Sequence, residues 1–121
     1  MFKKLECVAI YTDDIQKSTN FYLSLGLKQN WKVERKLDSG GTWTIIGLKF
    51  PEENSSELVL QNDPNINVTD VEILVDDVNI TYQELSKNTE ITWIKKPFST
   101  ESGHVAVMES LDKNVFVLVG K

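Results

Sequence analysis

One nine-residue pattern occurs twice in this chain, and the duplication constrains the fold more than any other feature. Cys7-Val-Ala-Ile-Tyr-Thr-Asp-Asp-Ile15 returns sixty-three residues later as Asp70-Val-Glu-Ile-Leu-Val-Asp-Asp-Val78. Val8, Ile10, Asp13 and Asp14 are matched by Val71, Ile73, Asp76 and Asp77. Each copy is an alternating apolar run that ends in two aspartates and gives way to a helical pattern. A unit present in two half-length copies builds a pseudo-symmetric domain, and ligands favour the cleft between such halves.

The flanking pattern extends each copy to the same order of elements. Leu5 to Thr12 alternates as a half-buried strand does, with Val8 and Ile10 on one face and Cys7, Ala9 and Tyr11 on the other. Asp13 is placed to cap the following helix, with Gln16 as its capping-box partner, and Gly26 is a natural helix stop. Three strands follow, at Leu27 to Glu34, Thr42 to Phe50 and Glu57 to Gln61, with a hairpin turn at Asp38-Ser-Gly-Gly41. The second copy repeats this as a strand at Thr69 to Val75, a helix at Asp77 to Lys87, and strands at Ile91 to Lys96, His104 to Glu109 and Asn114 to Val119. The reading is an α+β chain of two tandem βαβββ modules forming a curled mixed sheet with a concave pocket. Residues 1–121 form a single domain, with module one at 1–62, a polar link at 63–67 and module two at 68–121.

Charge and cysteine usage narrow the partners. Thirteen basic against eighteen acidic residues leave a net charge of −5, which argues against nucleic acid, where phosphate neutralisation dominates binding. The same balance suits a cationic ligand. Cys7 is the sole cysteine, so no internal disulfide forms, and a reducing compartment is expected. No stretch has membrane-spanning length and the N-terminus lacks a signal-peptide core, so a cytoplasmic location is expected. The Asn-x-Ser/Thr sequons at Asn54, Asn67 and Asn79 are then incidental.

The segment "CVAIYTDDIQKSTNFYLSLGLK" resembles the first strand and helix of the vicinal-oxygen-chelate superfamily, which groups glyoxalase I, extradiol dioxygenases, fosfomycin-resistance enzymes and bleomycin-binding proteins. Asp14, Ser18, Phe21-Tyr22 and Leu25-Gly26 carry the likeness. The last hairpin, "MESLDKNVFVLV", is similar to the family's acidic-Pro-Asp-Gly-Asn ending, with Leu111 in place of Pro and Lys113 in place of Gly. The resemblance implies four metal-ligand places, which fall at Cys7, Glu57, Asp70 and Val117. His is usual at the first and third, and Glu, His or Gln at the others. Here only Glu57 matches, and Val117 ligates nothing. A Cys7/Glu57/Asp70 set mixes thiolate and carboxylate without imidazole, which suits neither a hard ion nor catalytic zinc. No cofactor is therefore expected, and Cys7 reads as a small buried apolar side chain.

Alternation then turns Cys7, Ala9 and Tyr11, Glu57, Val59 and Gln61, and Asp70, Glu72 and Leu74 toward the pocket. Trp43 and Trp93 lie in strands that flank the pocket in the resembled family, where an indole stacks on a planar ligand. The expected ligand-binding set is Cys7, Tyr11, Trp43, Glu57, Gln61, Asp70, Glu72 and Trp93. His104, the sole histidine, sits away from the metal places. The expected function is a metal-free small-molecule binding protein, sequestering a cationic or planar aromatic compound and forming a homodimer. The alternative is a divergent metal-dependent lyase, isomerase or dioxygenase related to glyoxalase I, with Glu57 as general base or residual ligand.

Overall fold

The computed structural model describes residues 1–121. Its elements follow the expected order. They are β1 (Lys4–Tyr11), α1 (Ile15–Ser24), β2 (Lys28–Lys36), β3 (Thr42–Lys49), β4 (Glu57–Gln61), β5 (Asp70–Leu74), α2 (Val78–Leu85), β6 (Thr92–Thr100), β7 (Gly103–Glu109) and β8 (Val115–Gly120). The class is α+β, with mixed parallel and antiparallel pairing. The polar link contains one short 3-10 turn at Pro64–Ile66, capped by Asp63.

Two compact units account for the chain. One comprises Cys7–Thr69; the other joins Met1–Glu6 to Asp70–Lys121. The first unit orders its strands β2-β3-β4-β1, with β1 parallel to β4 and the other pairs antiparallel. In the second the order is β5-β8-β7-β6, with β5 parallel to β8. The duplicated sequence thus folds to duplicated pairing, each opening strand lying beside the closing strand of its own repeat.

The paired aspartates divide their work. Asp14, not Asp13, caps α1: its Oδ1 accepts a 3.0 Å bond from the Lys17 amide. Asp77 does the same for α2 with the Ile80 amide at 3.0 Å. The expected capping box does not form, because with Asp14 as the cap the third helical position is Lys17 rather than Gln16, whose amide donates to Asn20. In the second copy the first aspartate, Asp76, accepts a 2.8 Å bond from Lys3, whose amide also donates to the Leu74 carbonyl.

Each helix covers one face of its own sheet. Leu27, Ile46, Leu48 and Leu60 pack with Ile10, Ile15 and Tyr22 under α1. Ile73, Met108 and Leu118, with Val75, Val78 and Ala106 beside them, form the equivalent core at α2. Neither helix is long and apolar enough to cross a membrane. What α1 leaves uncovered is the opposite face of its sheet, where most of the expected site residues lie.

Candidate functional site

Strand register turns the uncovered face of the Cys7–Thr69 unit into a grid, because directly paired residues point the same way. One row reads Val33, Ile45, Gln61, Tyr11 and the next Trp31, Gly47, Val59, Ala9. Arg35 pairs with Trp43 at one end, and Cys7 with Glu57 at the other. Cys7, Ala9 and Val59 are buried in a small apolar cluster with Trp31 and Ile45 packed on it. The structure therefore brings Cys7, Tyr11, Glu57 and Gln61 to one surface, as alternation predicts, and sets Trp43 on the same surface.

Two indoles are pinned on this face, each by a side chain from β4. Trp31 Nε1 donates to Glu57 Oε1 at 2.8 Å, and Asn30 Nδ2 donates to Glu57 Oε2 at 2.7 Å. Trp43 Nε1 donates to Gln61 Oε1 at 3.1 Å. Gln61, only 6% exposed, also accepts from the Asp63 amide and donates to the Ile66 carbonyl. Its amide ties the end of β4 to the link and is satisfied within the protein. The Arg35 guanidinium lies 5.1 Å from the centre of the Trp43 ring, a cation–π distance.

Gly47 explains how Trp31 comes to lie flat. A Cβ built there would stand 2.1 Å from both Cε2 and Nε1 of the indole. The ring fills the space where any other residue would carry its side chain. Trp31, Asn30 and Gly47 are absent from the sequence-derived set, yet they shape the face. The signal available was Gly47 itself, since an isolated strand glycine marks a bulge or a close approach.

The remaining candidates lie in the other unit. Asp70 and Glu72 share a face with Leu74, and β8 sets Val117 beside Glu72. Burial raises the Asp70 carboxyl above its usual range. Trp93 does not join them. It pairs with Met108, packs with the α2-side core, and meets Tyr82 edge-on at 4.7 Å between ring centres. Directly paired residues point the same way, and Met108 belongs to that core, so the Trp93 indole lies on the α2 side. An open groove of about 490 Å³ lies elsewhere in the first unit, between Gly26, Lys28, Lys49, Phe50 and Glu52. None of the expected residues lines it.

The residues at the four places where the resemblance implies metal ligands do not fit a metal. Both oxygens of Glu57 accept from neutral N–H donors, Val117 has no donor atom, and no group of three His, Cys, Asp or Glu side chains gathers anywhere in the chain. Cys7 is 4% exposed and packed among apolar neighbours. What the face offers is flat aromatic surface with fixed orientation, bordered by a guanidinium and the Tyr11 phenol.

Known structures share this architecture. The hypothetical protein BH1468 from Bacillus halodurans C-125 superposes with a TM-score of 0.74 at 23% identity, over 98% of this chain and 94% of that one. Methylmalonyl-CoA epimerase from Mycobacterium tuberculosis gives 0.72 at 14% identity, over 98% and 88%. A glyoxalase/bleomycin resistance protein/dioxygenase superfamily member from Vibrio splendidus 12B01 gives 0.63 at 15%, over 95% and 97%. The chain has the vicinal-oxygen-chelate fold. At these identities the likeness is one of fold, and it carries the paired βαβββ modules without their chemistry. No family model matches this sequence, and neither does any of the curated proteins. Within this fold, Glu57 serves as an acceptor for Trp31 and Asn30.

Proposed function

We propose that this chain is a metal-independent binding protein for a planar aromatic small molecule, held on the uncovered face of the Cys7–Thr69 unit. The observation that carries the reading is Glu57: both of its oxygens are engaged by Asn30 and Trp31, so the carboxylate fixes an indole. Trp31 and Trp43 then offer ring surface at positions set by hydrogen bonds, which lowers the entropy lost on stacking. Between the two expected ligand classes this favours the aromatic one, since a carboxylate occupied by two donors has less to offer a cation.

Titration of intrinsic tryptophan fluorescence tests the reading, with proflavine as a planar cation and 2-naphthoate as a planar anion. Saturable quenching by at least one probe is expected, weakened several-fold in both Trp31→Phe and Trp43→Phe. A divergent lyase, isomerase or dioxygenase would behave differently. If neither probe binds while Mn²⁺, Ni²⁺ or Zn²⁺ raises the melting temperature strongly, and Glu57→Gln abolishes that rise, the binding-protein reading is wrong.

A further inference from the structure

Two consecutive side chains of β2, Asn30 and Trp31, reach the same carboxylate. In a regular strand they would point to opposite faces. The pairing of β2 with β3 explains the exception. Gln29 lies opposite Leu48 and Trp31 opposite Gly47, so two steps along β2 match one step along β3, and Asn30 is the extra residue of a β-bulge. Leu48 belongs to the core under α1, whereas Gly47 lies beneath the Trp31 indole on the other face. The bulge therefore swings Asn30 onto the side occupied by Trp31. There its amide reaches Glu57 Oε2 at 2.7 Å, while Oε1 holds the indole at 2.8 Å.

We propose that Asn30 is a positioning residue: its bulged amide orients Glu57 and thereby locks the Trp31 ring as the platform for a planar ligand. The proposal rests on the function proposed above. In it, two N–H donors from adjacent residues satisfy one carboxylate. A carboxylate held at one oxygen alone turns about its Cγ–Cδ bond, so removing Asn30 releases the direction of the other oxygen. Removing Trp31 instead leaves Glu57 oriented but without a platform. Asn30 thus acts on the ligand through Glu57 and Trp31, without needing to touch it.

The test reads the Trp31 indole N–H directly by ¹H–¹⁵N NMR, assigned by its disappearance in Trp31→Phe. In Asn30→Ala its exchange with water should rise by about 2- to 10-fold, the range a single modest hydrogen bond supports. The Trp43 indole N–H, bonded to Gln61, should not respond. Asn30→Asp keeps the shape and removes the donor, so it should match Asn30→Ala or exceed it. The probe that quenches the wild type should bind the variants several-fold more weakly, at temperatures where circular dichroism shows them folded. An unchanged Trp31 exchange rate in both variants overturns the proposal. If Trp31 exchange responds while neither proflavine nor 2-naphthoate binds the wild type, positioning by Asn30 stands and the function proposed for the site falls.

Discussion

Gly47 does at the scale of one residue what no side chain can. It leaves open the volume into which Trp31 places its pyrrole edge, and a Cβ there would stand 2.1 Å from two ring atoms. Gly47→Ala must therefore expel the indole, break the Trp31–Glu57 bond and uncover Cys7, Ala9 and Val59. Overpacking of this kind costs about 1–3 kcal/mol. The cost should be conditional: in a Trp31→Ala background the clash has no second party, so Gly47→Ala should then cost less than about 0.5 kcal/mol. Urea denaturation of the four proteins in this double-mutant cycle, followed by circular dichroism, measures the difference. Equal costs in both backgrounds would show that the glycine is needed for some other reason. Alternation along the chain is enough to group Cys7, Tyr11, Glu57 and Gln61. It also sets Trp31 on one side with Val33, but it is blind to Asn30, because a bulge changes which residues share a face without changing composition.

Elements record the same division between regular and irregular geometry. Period-two runs and helical spacing mark all eight strands and both helices in the sequence, and the paired aspartates mark where each helix begins. Which aspartate caps is decided by backbone geometry: Asp14 and Asp77 adopt extended φ/ψ and accept from the amide three residues on. Strict alternation breaks on β6, where two register shifts separate Trp93, Lys95 and Phe98. That strand also runs through Pro97 to Thr100, beyond the expected end at Lys96. It pairs on one side only, with β7, and an edge tolerates a residue without an N–H. The caps give a direct prediction. Asp14→Ala and Asp77→Ala should each lower stability by about 1 kcal/mol, whereas Asp13→Ala should change it by less than about 0.3. Chemical denaturation monitored at the helical circular-dichroism band separates them. A loss in Asp13→Ala equal to that in Asp14→Ala would mean the cap moves between the two.

Across the whole molecule, four groups with displaced pKa values set how stability follows pH. Lys3 holds the Asp76 carboxyl below its usual range by a hydrogen bond and by charge, and Ser110 and Asn114 do so for Asp112 by hydrogen bonds. Those contributions are present above the unfolded pKa and are lost as pH falls through the lower folded values. The Lys3 ammonium is raised by the same Asp76 contact, so its share is lost only as pH rises through its folded pKa. Asp70 runs the other way. Desolvation raises its pKa, so the folded state holds the proton more tightly than the unfolded chain and the ionised group is a net cost near neutrality. That cost fades as pH falls through the folded pKa of Asp70, before the losses at Asp76 and Asp112 are complete. Asp70→Asn removes the charge at every pH. The variant should be more stable than wild type at about pH 7, and the gap should close as pH approaches about 4. Parallel urea titrations of both proteins across that range measure it. A gap that stayed constant with pH would locate the effect in packing or hydrogen bonding, and desolvation of the Asp70 carboxylate would no longer explain its cost to the fold.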